Sequence, residues 1–468
     1  MTLRSSLVRT ALCALGLFAV SGSAEAQPAV RLEVRFSKPL AVFHYLRQLA
    51  ATARANPYKT QFAASPYATP ENLALLSSLD SIKTDYEYSY PEYPDGKIEG
   101  STIYILKRNL VLASSVADFR TRSIVVIPSA DLNRIVAALE AFSPVYDSLV
   151  YEPGRANFER QLREIEAVLT EKHAADLFDN IRGFFRASWD PSIPFIFAFF
   201  PRPAGGGFSA TAYGNVSESE LPADMKNYSV MLSLMMHEAA HILLDEQKRT
   251  AAWEMQKWYA DNPALTSLYA RGLMQESWST AVGNGFIQER LTGTLNPGSW
   301  YGEKHISEMA KQLLPLMKPY LEQRRPMDRA LIDAYVNVFE RDFRGWLSEW
   351  DFLMMGRAVI SERQADFDLL DRRFPYRNVQ KYMRDFSDAS IRDLKATPAS
   401  KLIVISHNHS ATLDRVRKVF PELADWRPDP KKDFAYATMT ADKKRLIVVN
   451  LVTGNLEGLL STPLPPLQ

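Results

Sequence analysis

The chain has 468 residues, of which 46% are hydrophobic and 11% aromatic, and its formal net charge at pH 7 is +1. This length and composition predict two or three packed domains. The balanced charge, without a block of basic residues, argues against nucleic-acid binding and against adhesion to anionic membranes, which both need concentrated positive charge.

The first 26 residues have the pattern of a cleavable export signal. Arg4 and Arg9 flank a polar start, an apolar run occupies 11–20, and the small residues of Ala24-Glu25-Ala26 stand where signal peptidase reads. We predict cleavage after Ala26 and a periplasmic or secreted mature protein without a membrane span, because no later apolar stretch reaches about 18 residues. Cys13 lies inside the signal, so the mature chain can hold no disulfide and no thiolate zinc site.

Residues 27–150 are predicted to form an N-terminal α/β region. Strands are expected at 31–36, 101–106 and 123–127, and helices at 39–54 and 132–142. The segment 57–100, rich in Tyr and Pro, is expected to be extended. The lone His44 is expected to face the core or a helix surface rather than a metal ion.

Residues 151–396 are predicted to be a mostly helical catalytic domain with a β-hairpin near its start. Helices are expected at 157–186, 228–244, 265–291, 303–323, 328–352 and 377–386. Two strands, 193–200 and 208–216, are expected to pair across a turn at 201–207. The second strand is a candidate edge for aligning an extended substrate, and an ordinary core hairpin explains it equally well.

The sequence His237-Glu238-Ala239-Ala240-His241 lies within the apolar helix predicted at 228–244. Two histidines four residues apart share one helix face, so both imidazoles can reach one ion. Glu238 then lies beside that ion and can take a proton from an attacking water. Because unpaired histidines and a glutamate are costly in an apolar helix, the pattern favours a bound metal over hydrogen-bonded core histidines.

A catalytic zinc ion usually has three protein ligands, so one more is required. Glu276 is the preferred candidate, because the helix face that continues through Thr280, Gly283 and Asn284 is small and polar. Gly283 and its neighbour Gly285 are unfavourable inside a helix unless they permit a close helix contact.

Other residues offer alternatives for metal binding. Glu362 belongs to a Glu-x-x-Ala-Asp pattern that some zinc peptidases use for their third ligand, and a solvated helix face explains it more simply. His407 and His409 share one face after a predicted strand, but a loop or binding surface is the simpler interpretation. His173 is isolated. His305, four residues after Tyr301, could donate a hydrogen bond to a reaction oxyanion or have an aromatic-core or surface role.

Residues 397–468 are predicted to be a small C-terminal α/β region. The sequence from Thr397 to Ser400 is typical of a linker. Strands are expected at 402–406, 434–439 and 445–449, with a helix at 413–420 between the first two.

The motif from His237 to His241, followed by Glu276 on a later helix, resembles the gluzincin class of zinc metallopeptidases, of which thermolysin is the best-known member. The resemblance covers about residues 195–290. It implies an α+β, zincin-like, mostly helical core, with His237, His241 and Glu276 as Zn2+ ligands and Glu238 as general base. Thr280 and Asn284 stand where gluzincins commonly carry an acidic group near the ligand Glu, and the interval from the motif to Glu276 is longer than in thermolysin.

The expected function is therefore exported zinc-dependent hydrolysis of peptides or proteins. The metzincin class is excluded, because Leu244 and Gln247 stand where that class has Gly and then His or Asp. Two other functions stay open: a catalytically silent zinc-containing binding protein, and a zinc hydrolase of a non-peptide amide or ester.

Overall fold

The computed structural model describes residues 30–94, 100–205, 208–375, 377 and 379–465. The predicted signal peptide lies outside the described residues. The fold is mixed α/β, 56% helical, with sheets of mixed strand orientation. Within the described ranges, no helix is long and apolar enough to cross a membrane.

The strands of the described residues form two sheets and one short pair. They are β1 Leu32–Phe36, β2 Glu87–Tyr88, β3 Gly100–Ser101, β4 Phe195–Arg202, β5 Ala210–Tyr213, β6 Val216–Pro222, β7 Arg357–Ile360, β8 Gln380–Met383, β9 Ser400–Ile405, β10 Phe434–Met439 and β11 Arg445–Asn450. The first sheet has the order β1-β4-β6-β5, the second has the order β10-β11-β9-β7-β8, and β2 pairs with β3.

The α-helices are α1 Lys38–Leu49, α2 Pro57–Ala63, α3 Pro70–Leu79, α4 Thr102–Leu112, α5 Val116–Arg122, α6 Ser129–Tyr146, α7 Glu152–Glu171, α8 Ala174–Phe184, α9 Tyr228–Asp245, α10 Arg249–Asp261, α11 Ser267–Thr280, α12 Gln288–Thr292, α13 Lys304–Glu322, α14 Arg329–Val338, α15 Trp350–Leu353, α16 Gln364–Arg373, α17 Asp388–Ala396, α18 His409–Val419 and α19 Leu456–Leu459. Three segments are π-helical: Asp147–Tyr151, Ala281–Ile287 and Phe339–Phe343. Two are 3-10 helices: Arg344–Ser348 and Pro421–Leu423.

The first sheet separates two helical layers. Successive side chains of a strand point to opposite faces of the sheet. The side chains of β4 are apolar on both of these faces. Phe195, Phe197 and Phe199 pack in the core that contains α9, whereas Ile196 and Ala198 pack against helices α1 to α6. The sheet is therefore buried on both faces, and its β5 edge lines the cleft that contains the histidine motif.

The prediction of strands at 101–106 and 123–127 is wrong. Residues 102–112 form α4, because Leu106 and Leu110 lie four apart and both point into the N-terminal core. Residues 123–126 form a turn in which Val125 has a left-handed φ of 64°. The expected extended segment 57–100 also contains α2 and α3, so the N-terminal region is mostly helical and contributes β1 to the first sheet.

The predicted hairpin is wrong in its pairing. β4 pairs in parallel with β6, whereas β5 and β6 form the hairpin around Gly214 and Asn215. Gly214 has a φ of 57°, the left-handed conformation that tight hairpin turns require and that glycine adopts readily. Part of the predicted turn, residues 206 and 207, lies outside the described residues. As a consequence, β5 forms the edge of the sheet.

The C-terminal α/β unit begins at β7, well before residue 397. α16 covers one face of its sheet, and α17 and α18 cover the other. The helix predicted at 377–386 is wrong, because Gln380–Met383 forms β8 in parallel register with β7. The segment 397–400 is no linker, since Ser400 begins β9. The three strands and the helix predicted after residue 400 are confirmed as β9, β10, β11 and α18.

Three of the six helices predicted in the central region, at 228–244, 265–291 and 303–323, are confirmed, whereas the helix predicted at 328–352 consists of α14, a π-helical segment, a 3-10 segment and, after a break at Glu349, α15. The helix at 303–323 corresponds to α13, and the one at 265–291 corresponds to α11, a π-helical turn and α12 in unbroken succession. The helix at 157–186 is instead two helices, α7 and α8. They meet at His173, whose left-handed φ of 50° ends the regular helix, so this histidine lies at the junction of the two helices.

Candidate metal centre

Helix α9 carries the histidine motif. It begins after Asn227, whose side chain accepts a hydrogen bond from the Val230 N–H. Its apolar residues bury it so completely that His237 is only 3% exposed. The Nε2 atoms of His237 and His241 lie 3.0 Å apart. The two imidazoles therefore converge on one point, as their spacing predicts.

Glu276, on α11, reaches the same point. Its Oε2 lies 3.8 Å from His237 Nε2 and 3.6 Å from His241 Nε2. One ligand atom from each of the three residues lies within 4.8 Å of the others. Zinc binds imidazole nitrogen at about 2.0–2.1 Å, so the ligand atoms of a tetrahedral site lie about 3.3 Å apart. The spacing of the three donors thus fits one zinc ion, and Glu276 Oε2 is buried without a hydrogen-bond partner among the described residues.

The approach of the two helices depends on Gly283, in the π-helical turn that follows α11. A Cβ atom at this position would lie 2.4 Å from His237 Cβ and 2.6 Å from His237 Cα. No larger residue fits without separating the π-helical turn from α9. The expected role of Gly283 in a close helix contact is confirmed, and π-helical turns of this kind are frequent at functional sites.

Ser279 supports one of the histidines, although the sequence did not single it out. Its Oγ lies 3.3 Å from His241 Nδ1. A hydrogen bond to Nδ1 fixes the ring orientation and leaves Nε2 directed at the ion. The sequence signal that could have identified Ser279 is its position three residues after Glu276, on the same face of α11.

Glu238 connects the motif to the edge strand. Ala212, in β5, and Glu238 line the same cleft, and the Ala212 backbone N–H favours the ionised carboxylate. Burial raises the pKa of Glu238 to about 7, with a further contribution from Glu276, against the opposing effect of His241.

The three candidate ligands shift one another's pKa values. Burial and the adjacent His241 lower the pKa of His237 to about 3. Burial raises the pKa of Glu276, but contacts with His241 and His237 dominate and lower it to about 2. Burial lowers the pKa of His241, but the adjacent Glu276 outweighs burial and raises it, so a bound metal has to displace the His241 proton.

A cleft of about 460 Å³ opens onto these groups. Its walls are Tyr104 of α4, residues 208–212, Leu234, Gln275, Asn284 and Tyr301. The Tyr301 ring lies 6.0 Å from the His237 ring, centroid to centroid, and burial raises the pKa of its hydroxyl. Arg377 Nη1 donates a hydrogen bond of 3.3 Å to the same hydroxyl. Tyr301 is therefore a protonated donor at the edge of the cluster.

The three alternative ligands Glu362, His407 and His409 lie away from this cluster. Glu362 Oε2 is 3.5 Å from His407 Nδ1, where β7 and β9 end in the C-terminal sheet. His409 Nδ1 is 2.8 Å from Asn450 Oδ1, beside the same sheet. Among the described residues, the structure therefore brings Glu276, and not Glu362, to the two motif histidines.

The two remaining histidines face other carboxylates. His44 Nε2 lies 3.1 Å from Glu218 Oε1, on the far side of the first sheet, and its ring stacks on Phe200. His305 Nε2 lies 3.0 Å from Glu349 Oε2. His305, considered above as a donor to the oxyanion, does not line the cleft, whereas Tyr301 does. The Lys304 ammonium is 2.5 Å from the same Glu349 oxygen.

Comparisons of this chain with family models, with curated proteins and with solved structures found no match. Function is accordingly inferred from the residues and geometry of the cleft. The inference of function rests on three features: the three converging donors, the adjacent carboxyl group and the open edge strand.

Proposed function

We propose that this chain is an exported zinc-dependent peptidase with a zincin-like core of the gluzincin type. The observation that carries the proposal is the convergence of His237, His241 and Glu276 at one point of an open cleft. Two imidazoles and a carboxylate, with an open position, form a ligand set typical of catalytic zinc. Glu238 beside them favours a catalytic over a purely structural metal, since a structural site has no use for a base.

A bound zinc ion supplies Lewis-acid chemistry, by activating a water molecule and polarising the scissile carbonyl. Glu238 accepts the proton of the attacking water and delivers it to the leaving amine. Ala212 N–H lies on the same cleft wall and favours the ionised form of Glu238 that accepts this proton. The Tyr301 hydroxyl, beside His237, is positioned to donate a hydrogen bond to the oxygen that becomes negative.

The edge strand favours a peptide over a compact amide or ester. β5 and β6 are joined by a two-residue turn, so Tyr213 pairs with Val216 through hydrogen bonds, and hydrogen-bonded pairs then alternate along the hairpin. Ala210 and Ala212 consequently direct their backbone groups away from β6. Both residues line the cleft, so their outward backbone groups can pair with an extended substrate there.

The replacement Glu238→Gln tests the assigned base. We expect zinc content to stay at one equivalent, while the cleavage of a mixed peptide library falls by about 10²- to 10⁴-fold. Metal analysis and mass spectrometry of the cleavage products measure the two quantities. Full activity in this variant would refute the role of Glu238, and hydrolysis of esters or small amides without cleavage of any peptide would favour a non-peptide hydrolase.

A pair of variants tests the third ligand. We expect Glu276→Ala to lose zinc and Glu362→Ala to retain it. Circular dichroism verifies that both variants are folded. The opposite result would transfer the third ligand to Glu362.

A further inference from the structure

The exposed aromatic side chains of the described residues are concentrated beside the cleft. They are Tyr86, Tyr88, Tyr90, Tyr104 and Trp253, each 36–47% exposed. We call this group the aromatic surface. Exposed aromatic side chains gathered at one place are characteristic of binding surfaces rather than of ordinary solvent-facing structure.

The backbone that carries these rings is held in place. Thr102 N–H donates to Tyr86 O over 3.0 Å, and Tyr86 N–H donates to Thr102 Oγ1 over 2.9 Å. Tyr88 pairs with Gly100 in the short β2–β3 ladder. Trp253, on α10, donates its indole N–H to Glu92 O over 3.1 Å. The side chains thus project from a fixed backbone, although residues 85–92 are all exposed.

The aromatic surface is continuous with the cleft. Tyr104 lies two residues after Thr102, lines the cleft and stacks on Tyr213 of β5 with ring centroids 6.0 Å apart. Trp253 belongs to the helix that follows the motif helix α9. A chain that lies along β5 and extends past Tyr104 therefore meets the exposed tyrosines next.

The charge on this surface selects the ligand. Asp85, Glu87 and Glu92 alternate with the tyrosines, and residues 84–94 contain no basic side chain. The Lys83 ammonium lies 4.8 Å from the centre of the Tyr86 ring, so a ring of this surface already accepts a cation. Carboxylates interleaved with aromatic faces attract ammonium and guanidinium groups and repel anionic ligands.

We propose that the aromatic surface binds a lysine- or arginine-rich part of an extended polypeptide whose scissile bond lies in the cleft. The proposal rests on the proposed peptidase function, since it names the substrate class of the same site. Basic side chains beyond the cleft stack on the exposed tyrosines and pair with Glu87 and its neighbours. Affinity for a long basic substrate is thereby raised without a change in the catalytic groups.

The double variant Tyr90→Ser/Glu87→Gln tests the surface in the full-length protein. The probes are two unstructured 20-residue peptides that share one cleavage sequence, one rich in Lys and Arg and the other with Glu at those positions. We expect the wild type to have the lower KM for the basic peptide. In the double variant this KM should rise about threefold to twentyfold relative to that of the acidic peptide.

Two controls separate recognition from general damage. Tyr90→Phe keeps the ring and should retain the wild-type KM ratio. Val452→Ser removes an apolar side chain of the C-terminal unit that is 38% exposed. This variant should also retain the wild-type KM ratio. An equal KM for both peptides in the wild type, or an unchanged ratio in the double variant, would overturn the proposal.

Failure of the surface can be distinguished from failure of the peptidase proposal. Binding is measured by fluorescence anisotropy in the Glu238→Gln background, so it requires no cleavage. Preferential binding of the basic peptide that weakens with Tyr90→Ser/Glu87→Gln supports the surface, even if no peptide is cleaved by the wild type. Equal binding of both peptides, or preferential binding of a neutral oligosaccharide, overturns it.

Discussion

Replacing Gly283 by alanine should weaken the metal site through the backbone alone. The added methyl group would lie 2.4 Å from His237 Cβ and 2.7 Å from the His237 backbone nitrogen. Backbone atoms of a buried helix cannot rotate away as a flexible side chain can. The π-helical turn and α9 must therefore move apart.

The size of the effect follows from these distances. Restoring ordinary carbon contacts from 2.4 Å requires a displacement of about 1 Å. Overpacking of this kind costs about 1–3 kcal/mol of stability. Zinc sites tolerate only about 0.2 Å in ligand distance, so Glu276 is drawn out of position and we expect zinc affinity to fall at least about tenfold.

Chelator competition measures zinc affinity, and urea unfolding with and without zinc measures stability. Gly183→Ala is the matched control, because Gly183 also lies in a helix and a Cβ atom there meets nothing within 4 Å. Gly183→Ala should stabilise the protein by up to about 1 kcal/mol. Wild-type stability and zinc affinity in Gly283→Ala would refute the close packing of the two helices against each other.

Two further predictions concern polar side chains. Ser279→Ala removes the contact to His241 Nδ1, so zinc affinity, measured by chelator competition, should fall about tenfold while the urea midpoint of the metal-free protein changes little. Burial raises the pKa of the Glu218 carboxyl, but the contacts with His44 and Lys107 dominate and lower this pKa to about 2. Its stabilising contribution is therefore complete above the unfolded value near 4.5 and is lost as pH falls towards 2. Glu218→Gln should be less stable at pH 7 and should lose less stability than the wild type between pH 4.5 and 2 in urea unfolding; equal losses would contradict this.

The local part of the candidate site could be predicted from the sequence. The spacing of His237 and His241 places both on one face of any helix, and the apolar run around them predicts that helix. Gly283 was informative for the same reason, because a glycine inside a helix has a cost that a close contact offsets. These signals span a few residues, so they do not depend on how the chain folds at long range.

The pairing of strands could not be predicted in this way. β4 and β5 are near neighbours in sequence and have the alternation of a hairpin, yet β4 pairs in parallel with β6 and with β1. Parallel partners are joined by long crossovers, and no local periodicity identifies them. The run at 101–106 was misassigned because short apolar stretches rich in β-branched residues fit both a strand and a helix, and burial in the N-terminal core decided for the helix.

These failures bear on function because the strand order determines which backbone faces the metal donors. With the predicted hairpin, the 208–216 strand would pair with β4 and its free edge would be undefined relative to Glu238. With the observed order, β4 and β6 are interior strands and β5 is one of the two edges, and its Ala212 lines the cleft together with Glu238. The ring of Tyr213, the next residue of the same strand, stacks on Tyr104, which belongs to the aromatic surface. The proposed base, the proposed peptide-binding edge and the proposed recognition surface all adjoin one four-residue strand, so a change that displaces β5 should impair binding and catalysis together.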